Sequence, residues 1–110
     1  LKLEVGDGRL LLAGTITVRN PEQSLQPFMR QLHEAALQDG LKRVDVDVTA
    51  LEFVNSSAIR MLIDWTTWVK QAAADGKGYK LAFAIDRATT WQRTSFVALQ
   101  ALASDVVQIN

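Results

Sequence analysis

The sequence contains no cysteine, which excludes a disulfide framework, a thiolate metal site and a cysteine nucleophile. Its single histidine, His33, cannot build a multi-histidine metal cluster. Twelve Lys and Arg side chains oppose twelve Asp and Glu, so no net positive field favours nucleic acid or an anionic membrane surface. No apolar run is long enough to span a bilayer. The start lacks the basic, apolar and cleavage regions of a signal peptide, so a cytoplasmic location is expected. The chain opens on Leu1 rather than methionine, as a piece trimmed from something longer would.

What is present is a globular balance. The 110 residues are 48% hydrophobic and 22% charged, enough for one core without metal or disulfide help. Leu1 to Val5 alternates as a half-buried strand does, Gly6-Asp7-Gly8 is a turn signal, and Arg9 to Val18 resumes strand character. The two strands are expected to form a hairpin, with Gly14 as a bulge or a close backbone approach. Asn20-Pro21-Glu22 marks a break, and either Asn20 or Ser24 is placed to cap a helix. That helix carries Leu25, Phe28, Leu32, Ala35 and Ala36 at helical spacing and stops near Asp39-Gly40.

Arg43 to Val48 alternates again, and Thr49 to Val54 reads as a connection. Ser56 to Asp75 is the longest helical stretch. Tyr79 to Ile85 is nearly continuously apolar, as a central strand is. A loop over Asp86 to Thr90, a helix over Trp91 to Ala103 and a short strand over Val106 to Ile109 complete the chain. The order β-β-α-β-α-β-α-β predicts an α/β fold: a single domain over residues 1–110, with an N-terminal hairpin, a mixed sheet and helices packed on it. Ligands and partners of such sheets meet the loops beyond the carboxyl ends of the parallel strands, here Thr49 to Ser57 and Asp86 to Thr90.

Asn55 and Ser56 are both strong N-cap residues, and with either as cap Ser57 falls in the first helical turn. Unpaired N–H groups and the positive end of the helix dipole favour an anion there. Read from local pattern alone, Asn-Ser-Ser before a helix is a simple cap. His33 lies on another helix and is expected at the surface or partly packed, so no nucleophile–base pair is visible.

Val44 to Ala58 resembles the central stretch of STAS domains, the anti-sigma-factor-antagonist family. There a strand ends in an acidic residue, and a short connection, a hydrophobic pair, Asp-Ser-Ser-Gly and an apolar helix follow. Ala13-Gly14-Thr15-Ile16 stands where the family has a Gly-Glu-Leu type turn. The resemblance implies that Ser57, directly before the glycine position, is a phosphoacceptor. It implies two partners, a serine kinase that is itself the anti-sigma factor and a metal-dependent serine phosphatase. The unphosphorylated form would bind the kinase and free the sigma factor, a signalling role in transcription regulation. The ATP site would belong to the kinase, making this chain a substrate, not an enzyme, with no cofactor. Asn55 replaces the family's aspartate, keeping the capping oxygen without its charge. Ala58 replaces its glycine, adding a methyl group.

On the Ser56 helix, Ile59, Leu62, Ile63, Thr66 and Val69 are expected to face the sheet. Met61, Trp65, Trp68 and Ala72 form a second stripe, either covered by neighbouring helices or open to a partner or a second copy. Arg87 or Arg60 is placed to pair a phosphate or a partner carboxylate, with solvated arginine as the plainer reading. The expected binding set is Asn55, Ser56, Ser57, Ala58, Met61, Trp65, Trp68 and Arg87. Two other readings are a nucleotide- or small-anion-binding STAS module and a scaffold domain of a larger sensory or transport assembly. Asp45 and Asp47 read as a wet sheet face.

Overall fold

Valine at 44, 46 and 48 alternating with aspartate at 45 and 47 commits one strand face to a core and the other to water. A computed structural model describes residues 2–6, 8–16 and 21–109, with side chains described for 6, 8–15 and 26–109. The elements are β1 (Lys2–Gly6), β2 (Arg9–Ile16), α1 (Pro21–Gln38), β3 (Arg43–Asp47), β4 (Leu51–Val54), α2 (Ser56–Ala74), β5 (Lys80–Ala84), α3 (Thr90–Leu102) and β6 (Val107–Ile109). Asp7, Thr17, Val18 and the capping candidate Asn20 lie outside the described residues, as do the side chains of Ser24 and Leu25.

The sheet runs β1-β2-β3-β5-β6, with β4 also paired to β2. The expected mixed sheet narrows here: the five strands β2 to β6 pair only in parallel, and the antiparallel pairing is confined to the β1–β2 hairpin. The reason is topological, since every later strand pair is joined through a helix or a longer path and only the tight turn reverses direction. The expected connection over Thr49 to Val54 instead contains β4. Strand β3 pairs with Arg9 to Leu11 of β2, and β4 pairs with Gly14 to Ile16. The link between them is a side-chain-capped turn: Asp47 Oδ1 accepts from the Thr49 N–H (2.9 Å) and the Thr49 hydroxyl (2.7 Å).

Gly14 is the expected bulge. The register slips between Gly14 and Thr15, and φ of +88° puts Gly14 in a region costly for a side chain. Helix α2 ends in a Schellman motif, with Gly76 at φ +77° and the Lys77 N–H reaching Ala72 O at 2.8 Å.

Leu10, Leu12, Val44, Val46, Leu81, Phe83 and Val107 are buried in one core with residues of all three helices. Asp45 and Asp47 fall on the opposite face, half-buried, where Arg43 Nε meets Asp45 Oδ1 at 2.8 Å. Strand β5 lies between β3 and β6 with Leu81, Ala82 and Phe83 all buried, the central position its composition predicts.

Of the residues of α2 expected to face the sheet, Leu62, Thr66 and Val69 are buried and Ile59 packs against the core, while Ile63 is exposed. The helix also buries Ala58, Met61, Trp65 and Ala72. The second stripe is therefore largely core: Met61, Trp65 and Ala72 are buried, and α1 packs against α2, with Trp65 tied to His33 of α1 through Tyr79. His33 is also inside rather than at the surface, 4% exposed on the inner side of α1. Among the described residues no helix is long and apolar enough to cross a membrane.

Candidate functional site at the amino end of α2

The chain leaves β4 at Val54 and enters α2 at Ser56, so Asn55, still extended, must cap the helix. It is the N-cap residue, at φ −74° and ψ 168°, and its Oδ1 accepts the Ala58 N–H at 2.9 Å. Ser56 and Ser57 thus occupy the first two helical positions, whose N–H groups have no carbonyl one turn back to pair with. Ser56 is exposed and Ser57 half-buried. No acidic side chain occupies this first turn, so the helix end retains its positive character. Replacing Asn55 by alanine is expected to cost about 1 kcal/mol in a urea titration.

The second loop of the site is built by Asp86. Its Oδ1 accepts the Ala88 N–H (3.0 Å) and its Oδ2 the Thr89 hydroxyl (2.8 Å), shaping the turn that exposes Arg87. Gln92, fully buried at the start of α3, ties this turn to the other loop. Its Nε2 donates to Val48 O (2.8 Å) and Leu51 O (2.9 Å), and its Oε1 accepts the Asp86 N–H (2.8 Å). Trp91 adds a bond from Nε1 to Glu52 O at 3.0 Å. Two consecutive side chains of α3 thereby hold the backbone that leads into Ser57.

Beside this end of α2 runs an apolar groove between α2 and α3, with a cavity of about 140 Å³ lined chiefly by Ile59, Leu62, Ile63, Trp91, Leu99 and Leu102. Leu102 is 64% exposed, and Val97 and Ile63 are also open to solvent. Phe53 on β4 is exposed as well.

The expected binding set therefore divides. Asn55, Ser56 and Ser57 lie together at the helix start, and Arg87 is exposed on the Asp86 turn. Ala58 is not at the surface; it is 1% exposed, with its methyl group in the core. Met61 and Trp65 are buried too, 3% and 1% exposed. Trp68 is half-buried, its ring covered by the Arg30 guanidinium at 4.9 Å. Ile63, Leu102 and Val97 take the place of the buried stripe as exposed apolar side chains. Their signal is in the sequence, since Thr94 to Ser104 carries no charge although α3 has an exposed side. Gln92 leaves no such signal, because a lone glutamine in a helix reads as surface.

This arrangement of sheet, helices and capped α2 is the SpoIIAA-like, or STAS, fold. The chain matches SiaC of Pseudomonas aeruginosa with a TM-score of 0.69 at 21% identity, over 94% of this chain and 81% of that one. A chain in the complex of the diguanylate cyclase SiaD with its activator SiaC, from the same organism, matches with a TM-score of 0.72 at 22% identity, over 97% and 88%. A DUF3478 protein with a SpoIIAA-like fold from Shewanella loihica matches at 0.50 and 17% identity, over 99% and 82%. No family model and no curated protein matches the sequence. At these identities the likeness is one of fold.

Proposed function

We propose that this chain is a regulatory domain, without a catalytic step of its own, that docks a partner protein at the amino end of α2 and along the α2–α3 groove. Phosphorylation of Ser57 controls that docking. The observation that carries the reading is a half-buried serine at the second position of a capped helix, beside an exposed apolar groove. Apolar surface of this kind supplies area for association, and the helix end supplies a point where one modification changes the charge. A phosphate on Ser57 meets the free N–H groups of the first turn, so the domain itself tolerates it. The same group places nearly two negative charges where a partner surface must be desolvated, so binding weakens.

The resemblance around Ser57 supports a serine kinase of the anti-sigma-factor type as the modifying partner and a metal-dependent phosphatase as its opponent. The shared fold of SiaC, the activator of the diguanylate cyclase SiaD, supports a signalling enzyme as the regulated partner. The 110 residues act as one STAS-like domain in this reading.

Incubation with a serine kinase of the anti-sigma-factor type and ATP, followed by peptide mass mapping, is expected to place phosphate on Ser57. Phosphate found only at other positions removes the switch. Ser57→Asp is expected to raise stability by about 0.3–1 kcal/mol through the helix dipole. The same variant is expected to weaken the partner complex by about 10- to 100-fold in a calorimetric titration, the cost of an unpaired charge at an interface. Unchanged affinity for Ser57→Asp removes this helix end from the interface.

A further inference from the structure

On the side of α2 away from that groove, the contact with α1 contains a polar cluster that partner docking does not use. Trp65 Nε1 donates to the Tyr79 hydroxyl at 2.9 Å, and the same hydroxyl lies 2.8 Å from His33 Nδ1. All three residues are buried, and they come from α2, from the residue before β5 and from α1. An indole N–H can only donate, and a phenol has one proton to give. The Tyr79 oxygen accepts from Trp65, and His33 Nδ1 is the acceptor within reach of its one proton. With His33 in that role its own proton sits on Nε2.

We propose that this relay is an acid-operated latch: with His33 in the Nε2–H form, protonation at Nδ1 takes away the acceptor of the Tyr79 proton and loosens α1 from α2 and from the residue before β5. A protonated Nδ1 aims an N–H at an oxygen that already receives the Trp65 N–H. The Tyr79 proton then has no acceptor in the cluster, and the ring's positive charge is buried between Arg30, which opposes it, and Glu34, which favours it. The groups that face the imidazole are few. Arg30 and Glu34 lie on α1 itself, α2 contributes the uncharged rings of Trp65 and Trp68, and the β5 side contributes Tyr79. Burial first, and the Arg30 charge second, hold His33 below the usual histidine value, with Glu34 opposing. Burial pushes the Tyr79 hydroxyl up to about 12, against the weaker effect of the Trp65 hydrogen bond. Tyr79 thus stays neutral while His33 titrates.

The sign follows from proton counting. Below the ordinary histidine value of about 6.5 the unfolded chain takes up a proton that the folded chain refuses. Stability contributed by the neutral ring is complete above that pH and is lost as pH falls through the folded value. The unfolding constant then rises by at most about tenfold per pH unit in that window. Trp68, with its ring centroid 6.0 Å from that of His33, serves as a reporter.

The test is imidazole nitrogen NMR on the full chain, together with tryptophan emission and amide exchange of α1, from pH 8 to pH 4.5. The expected result is an Nε2–H tautomer at neutral pH and titration of His33 below 6.5. Trp68 emission and α1 protection are expected to fall in the same interval. His33→Asn keeps an acceptor for Tyr79 but cannot titrate, and is expected to lack this step. Tyr79→Phe is expected to move the His33 titration upward. An Nδ1–H tautomer, a titration at or above the ordinary value, or an identical acid step in His33→Asn overturns the latch. Should His33→Asn not fold, the wild-type tautomer and titration still decide.

Discussion

Gln92→Leu is expected to lower the free energy of unfolding by about 2–5 kcal/mol, read as a shift of the urea midpoint at unchanged slope. Leucine fills nearly the same volume, so the loss is one of hydrogen bonding and not of packing. Three backbone groups lose a partner: Val48 O, Leu51 O and the Asp86 N–H. Val48 O retains the Leu51 N–H at 3.0 Å, so the loss falls chiefly on Leu51 O and on the half-buried Asp86 N–H. Each buried, unsatisfied group costs about 1–3 kcal/mol. Gln92→Glu is expected to recover little at neutral pH, because a carboxylate offers no donor to the two carbonyls. A Gln92→Leu variant as stable as wild type would show that these bonds are replaced by water without cost.

Trp65→Ala is expected to cost about 3–5 kcal/mol and to show as loss of the folded state rather than as a selective loss of partner binding. The ring is 1% exposed, it fills the space between α1 and the sheet, and its N–H holds the Tyr79 hydroxyl. Truncation leaves both a cavity and a shortened relay. Trp68→Ala is expected to cost clearly less, because its ring is half-buried under Arg30 and has solvent on one side. The comparison separates two tryptophans that sequence spacing placed on one stripe. Thermal melts of the two variants suffice to order them, and equal losses would contradict the geometry.

Local chemistry carries far in this chain. Alternation in β3, the apolar run of β5 and the glycine stops after α1 and α2 predict their elements to within a residue or two. Each of these signals is a short-range one, set by side-chain period or by a backbone angle that glycine alone adopts easily. The cap on α2 is equally local, and the choice between Asn55 and Ser56 is settled by one hydrogen bond at 2.9 Å. Strand β4 escaped because its four residues show no clean alternation, and its partner is a bulged segment of β2 more than thirty positions away.

The sequence by itself determined the α/β order apart from β4, the parallel strands behind a hairpin, and a serine at the start of the longest helix. Only the tertiary structure decided which side of that helix is buried. Both of its apolar stripes satisfy helical periodicity, and periodicity alone does not distinguish a stripe facing a sheet from one facing a neighbouring helix. With α1 packed against α2, Met61 and Trp65 are buried and Ile63 is in the open. The same long-range packing turns His33, expected at the surface or partly packed, and Gln92, a lone polar side chain in a helix, into buried ties between elements more than forty residues apart in sequence. Their hydrogen-bond partners exist only once the fold has brought them together, which is why no local pattern announces them.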